Sequence, residues 1–140
     1  MNTKRINKFF IMAKNASMNS NFRQHHLGAI AVYKNNVLAI GFNSCKTSPI
    51  QKKYNKERNY SIEMGHAHTN ALHAEISCLT KIRYLDIDFS KVSIFIYREH
   101  KNGQKALAKP CPACTKFIKD MGIKDVYYTI EGGWEHSHWD

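Results

Sequence analysis

Apolar residues recur in two different periods along this 140-residue chain, and the switches between them mark its elements. Ile6, Phe9, Phe10, Ala13 and Ala16 fall three and four apart, with Lys4, Lys8, Lys14 and Asn15 between them. That spacing predicts an amphipathic first helix ending in the polar Asn19-Ser20-Asn21. Two near-continuous apolar runs follow at 28–33 and 37–42, separated by Lys34-Asn35-Asn36. The Asn pair tolerates positive φ, so the runs predict two strands joined by a tight hairpin. Strands this continuously apolar are expected to be covered by helices on both faces.

From Asn43 to Thr69 the periodicity disappears, and the stretch predicts a long loop. Thr69 or Asn70 can cap a helix running to about Arg83, with Leu72, Ile76, Leu79 and Ile82 as its apolar stripe. Residues 91–97 predict a third strand, and Asn102-Gly103 a turn. Pro112 suits the first turn of a further helix and Gly122 the position just past its end. Residues 126–130 predict a fourth strand. The tail, 131–140, holds Trp134, His136, His138 and Trp139 and is expected to add an edge strand or a pocket wall. Alternating helices and strands of this kind place the chain in the α/β class.

The length fits one domain, residues 1–140, and no apolar run approaches the ~20 residues needed to span a bilayer. The segment at 9–13, preceded by Lys4, Arg5 and Lys8, is too short for a signal sequence and has no clear cleavage site, so a cytoplasmic protein without membrane contact is expected. Charge changes the picture more than composition does. Residues 1–60 carry eleven Lys or Arg against Glu57 alone, whereas 61–140 carry ten of each sign, so the whole net charge of +10 lies in the first part. Such asymmetry points to phosphate, on a nucleotide or on a polynucleotide, or to a solvated basic surface.

The chemistry is concentrated in a split pair of motifs, His73-Ala74-Glu75 and Pro110-Cys111-Pro112-Ala113-Cys114, each opening a predicted helix. Cys111 and Cys114 are three apart, so one helical turn can bring both sulfurs to the same side, where exposed N–H groups favour thiolates. One neutral histidine and two thiolates balance Zn²⁺ and leave a fourth tetrahedral position for water, the mark of a catalytic site. Zinc acidifies that water towards neutral pH. Glu75 reaches the same centre only if His73 sits at the very start of its helix, and it then acts as a proton shuttle instead of a ligand. A closed zinc-ribbon or rubredoxin-like site would need a fourth ligand from Cys45, Cys78, His66 or His68, which are not arranged as a second paired knuckle.

Taken together, the His-x-Glu and Pro-Cys-x-x-Cys motifs resemble the signature of the zinc-dependent cytidine/deoxycytidylate deaminase superfamily. The likeness extends over about residues 20–130 and includes the run from Leu27 to Val32 and Gly41-Phe42-Asn43. It implies a three-layer α/β/α cytidine-deaminase-like fold, with a central mixed sheet of four to five strands whose first two are antiparallel. It implies zinc bound by His73, Cys111 and Cys114, Glu75 as general acid and base, Asn43 on the sugar, and the backbone around Ala74 on the base. Ile76-Ser77-Cys78 stands where free cytidine deaminases usually carry an Arg, so the chain is closer to the deoxycytidylate and tRNA-adenosine branches. It stops soon after the fourth strand, with little room for the last helix and strand those branches often have.

The expected reaction is hydrolytic deamination of cytosine to uracil on a deoxycytidylate-like nucleotide, with Arg23, Lys52 and Lys53 as phosphate contacts, in a homo-oligomer. A deaminase of single-stranded DNA or RNA, cytosine or adenine, is the alternative, drawing on the basic first 60 residues and on Tyr54 and Tyr60 as stacking groups. A zinc-stabilised nucleic-acid-binding module is the non-enzymatic reading, and it leaves Glu75 without a task.

Overall fold

Strand β1 (His26–Tyr33) is the one around which the sheet is laid out. It pairs antiparallel with β2 (Asn36–Phe42) on one side and with β3 (Val92–Glu99) on the other. β3 runs parallel to β4 (Asp125–Ile130), and β4 pairs antiparallel with β5 (Gly133–His138), giving the order β2-β1-β3-β4-β5. The computed structural model describes residues 1–22, 25–57 and 71–139. Arg23, Arg58, Tyr60, His66, His68 and the expected caps Thr69 and Asn70 lie outside them.

Alternation along the strands divides the core in two. Ile30, Val32, Phe95, Tyr97 and Tyr127 point to one face, where they meet Ile6, Phe9, Phe10 and Ala13 of α1 (Thr3–Ser17). Ala29, Ala31, Val92, Ile94, Ile96 and Val126 point to the other, beneath α2 (Pro49–Glu57), α3 (Ala74–Leu79) and α4 (Pro112–Met121). The result is the expected three-layer arrangement around a five-stranded mixed sheet. α1 is capped by Asn2, whose Oδ1 accepts from Arg5 N at 2.9 Å, and it ends at Ser17, two residues before the expected polar stop. The left-handed residues of the hairpin are Lys34 and Asn35 (φ 51° and 65°), one place earlier than the Asn pair, because β2 already begins at Asn36.

Three expectations need correction. The segment expected to be a loop from Asn43 holds α2, a nine-residue helix opened by Pro49. Its Tyr54 is no stacking platform: the ring is buried edge-on against Phe117 at 5.1 Å, and its hydroxyl donates to Asp120 Oδ2 at 2.8 Å. The following helix does not run from Thr69 or Asn70 to Arg83. It starts at Ala74 with His73 as N-cap and ends at Leu79, the chain continuing in turns that still bury Ile82. The tail takes the first of its two expected forms, an edge strand.

That edge strand is polar, and side chains from β4 and α1 hold it. Asp125 Oδ1 accepts from His136 and His138, both at 2.8 Å, while Tyr127 stacks on His136 at 4.1 Å and Trp134 rests on Phe10 at 6.0 Å. Burial alone would raise the Asp125 carboxyl, but the hydrogen bonds from His138 and His136 outweigh it and hold the pKa below the ordinary value. Its contribution is therefore complete above the ordinary carboxylate range and is lost as pH falls through the lowered value. Asp125→Asn should cost under about 1 kcal/mol at pH 7, since the cluster is partly exposed. In urea titrations the difference from wild type should vanish in acid strong enough to protonate Asp125.

Gly41 sets how closely α3 approaches the sheet. A Cβ there would lie 2.3 Å from Cys78 N and 2.7 Å from Ala74 O, both backbone atoms that cannot swing aside. Gly41→Ala should push α3 outward and destabilise the protein by about 1–3 kcal/mol, read as a lower urea midpoint with an unchanged slope.

Candidate metal centre and active site

Two helix starts meet here. His73 is the N-cap of α3 with extended backbone (φ −83°, ψ 155°), and Cys111 is the N-cap of α4 (φ −66°, ψ 167°), followed by Pro112 at the first helical position. Cys111 Sγ accepts from Cys114 N at 3.4 Å, so the sulfur itself caps the helix. His73 is fixed from the opposite side. Its backbone N–H donates to Gln51 Oε1 at 3.1 Å, and Gln51 Nε2 donates to Asn55 Oδ1 at 2.9 Å, a pair one turn apart on α2 and buried to 0 % and 1 % exposure. Because a buried amide is retained only when its polar atoms are satisfied, α2 serves as a bracket for His73.

His73 Nδ1 lies 3.3 Å from Cys114 Sγ and 3.5 Å from Cys111 Sγ, and the three ligand atoms all fall within 4.8 Å of one another. A zinc tetrahedron with bonds of ~2.3 Å to sulfur and ~2.0 Å to nitrogen has edges of roughly 3.5–3.8 Å, so the spacing and the N/S/S donor set fit that ion. Among the described residues this is the one group of three or more such ligands. Cys45 is exposed, and Cys78 is buried with its thiol donating to Ala39 O, so neither supplies a fourth ligand to close the site.

The electrostatics suit a cation. The hydrogen bond from Cys114 holds the Cys111 thiol down to about 4 against the opposing effect of burial, with the His73 contact adding to it. Burial pushes Cys114 well up, and its hydrogen bond to Cys111 and the charges of Glu75 and Cys111 add to it. Burial also works against charge on His73, but its bond to Cys111 and the charge there outweigh it and leave the imidazole raised. Glu75, 3 % exposed in the first turn of α3, is pushed up to about 7, mainly by burial. A carboxyl so placed can hold either a proton or a charge near neutrality.

A cavity of about 230 Å³ opens onto this group and is lined by His73, Ala74, Glu75, Cys111 and Asn43, among others. Asn43 is buried, its Oδ1 accepting from Leu27 N at 2.9 Å and its Nδ2 donating to His25 O at 3.0 Å, which ties the end of β2 to the start of β1. One N–H and one lone pair of its amide remain for a ligand. The structure does not bring Lys52 and Lys53 here. Lys52 and Lys53 are exposed on α2 and line no part of this cavity, and Arg23 lies outside the described residues. In their place the wall carries His25, Arg98 and Lys109. Burial, then the Arg98 charge, lowers His25 to about 4, so its imidazole is neutral at pH 7. None of these three stands in a motif; Arg98 could have been found only from its place at the carboxyl end of a central strand, where ligands of open α/β sheets bind.

A sequence profile described as the cytidine and deoxycytidylate deaminase zinc-binding region matches residues 3–130. The chain belongs to this family. It is a zinc-dependent hydrolytic deaminase. Among solved structures it is similar to the dCMP deaminase of cyanophage S-TIM5, at 26% identity over 91% of this chain and 84% of that one, with a TM-score of 0.63. The same phage enzyme in complex with dCMP and dUMP gives 26% identity, 91% and 82% coverage, and a TM-score of 0.62. The cytidine deaminase of Burkholderia pseudomallei, 16% identical over 99% of this chain and 93% of that one, shares the fold with a TM-score of 0.64. No curated protein sequence matches the chain. No helix among the described residues of the deaminase is long and apolar enough to cross a membrane.

The triad makes a direct prediction about metal content. Cys111→Ser, Cys114→Ser and His73→Ala should each purify with well under one zinc per chain by atomic emission. Glu75→Gln should keep its zinc, because its carboxylate is not among the three ligand groups.

Proposed function

We propose that the deaminase converts the cytosine base of a deoxycytidylate-like nucleotide to uracil, with water consumed and ammonia released. The observation that carries this reading is the buried carboxyl of Glu75 lining the same cavity as His73 and Cys111 of the N/S/S triad. His73, Cys111 and Cys114 would hold the zinc, which when bound supplies Lewis acidity that makes water nucleophilic at neutral pH. Glu75 takes the proton that the attacking water gives up and passes protons to N3 of the ring and to the departing amine. Its burial keeps the exchange away from solvent. The Ala74 backbone at the start of α3 borders the base, and Asn43, with one N–H and one lone pair left over, holds the sugar.

Support for a nucleotide comes from the phage relative, a dCMP deaminase solved with dCMP and dUMP. The basic excess of residues 1–60 supports a second reading, a polynucleotide deaminase whose affinity falls steeply with salt. Ammonia release from dCMP, cytidine, deoxycytidine and a cytosine-containing oligonucleotide, run in parallel, separates the two. Turnover of dCMP is the expected result, and turnover confined to the oligonucleotide would replace the first reading with the second. Glu75→Gln should lower kcat by at least about 10³-fold with zinc retained, as loss of a general acid and base requires. Full activity in that variant would exclude the assigned role.

A further inference from the structure

Beside the catalytic cavity lies a second, larger one of about 400 Å³, and the two share two wall residues, His25 and Arg98. The larger cavity is also lined by His26, Glu99, His100 and Lys101. Its carboxylate is already engaged, since Glu99 accepts from the Tyr97 hydroxyl at 2.9 Å and faces Lys14 at 3.9 Å. His100 is paired with Glu131 at 2.8 Å. Among the described residues, the cations Arg98 and Lys101 therefore set the charge of a space that shares a wall with the reaction site.

Arg98 is incompletely used by the protein. One terminal nitrogen, Nη1, donates to Leu107 O at 3.3 Å, and the backbone N–H donates to Thr129 Oγ1 at 3.1 Å. Its Nε is buried, and among the described residues it is the one buried side-chain nitrogen or oxygen left without a hydrogen-bond partner. A guanidinium with a desolvated, unpaired Nε and one terminal nitrogen engaged favours an anionic partner at its open end. Glu75, His73 and Asn43 line only the catalytic cavity, whereas His25 and Arg98 line both, a division that suits a base and sugar on one side and a phosphate at the boundary. Asn43 binds His25 O.

We propose that Arg98 grips the phosphate attached to the substrate's sugar, and that this phosphate passes between Arg98 and His25 into the larger cavity. The assignment deepens the nucleotide reading and rests on it for the placing of the base. It replaces Lys52 and Lys53 of α2 as the phosphate contact. The shared chemistry is a phosphate ester on the nucleoside, supplied by either a free monophosphate or the diester of a single strand.

The test compares wild type, Arg98→Met, Arg98→Lys and Lys101→Met in two assays. The first is the ratio of kcat/KM for dCMP to that for deoxycytidine, repeated with a cytosine-containing oligonucleotide. The second is calorimetric binding of dUMP and deoxyuridine, which needs no turnover. Arg98→Met should lower the dCMP-to-deoxycytidine ratio by about 100-fold, mostly through KM, and weaken dUMP binding by a similar factor. Arg98→Lys should recover part of that loss, and Lys101→Met should show a smaller fall. Because the readout is a ratio, a variant that only displaces the Leu107 wall lowers both substrates together and leaves the ratio unchanged, which would overturn the assignment. So would dUMP binding as tight in Arg98→Met as in wild type. An Arg98-dependent oligonucleotide preference supports it with a diester as the source. If wild type releases ammonia from none of these substrates yet binds dUMP through Arg98, the functional reading falls and the phosphate site stands.

Discussion

The contact between one imidazole nitrogen and two sulfurs, His73 with Cys111 and Cys114, is the constraint that the rest of the fold serves. It brings two helix starts against each other, and two sets of outward N–H groups repel unless negative charge lies between them. The thiol chemistry supplies that charge. Each helix is then held from behind: α3 by its close approach to Gly41 and by the Gln51 amide on the His73 backbone, α4 by packing of Phe117 and Ile118 into the core. Glu75 enters the site because the first turn of α3 begins at that junction.

Much of this was legible because the signals are local. Pro112 and Gly122 bracket α4 as written, and Gly122 takes the left-handed conformation (φ 91°) that its place past the helix end requires. What could not be read depended on partners far away in the chain. Gln51 and Asn55 look like solvent-facing residues among lysines, and their burial makes sense only once the His73 backbone, 22 residues on from Gln51, is seen to need an acceptor. The capping signals at Thr69 and Asn70 competed with His73, and the tertiary contact decided between them. The tail reads as polar, with little strand pattern, because Asp125 and Tyr127 of the neighbouring strand hold its histidines.

Charge taught a similar lesson. The basic excess lies in residues 1–60, yet among the described residues the cations lining the two cavities, Arg98, Lys101 and Lys109, come from the electrically balanced remainder. A sum over sequence describes the field around a molecule. Which cation touches a ligand is set by strand ends and loops.

The separation of 41 residues between His73 and Cys114 has a consequence for how the chain folds. The β1–β2 hairpin closes on itself through two left-handed turn residues, whereas the ligand group needs β3 paired with β1 so that α4, which follows β3, starts beside the start of α3. Loop closure of this length is a modest entropic cost, and the ligand group depends on the longer-range pairing of β1 with β3. Local helix and hairpin content alone therefore does not report on the ligand group, and stoichiometric metal binding is a more direct measure of it than circular dichroism.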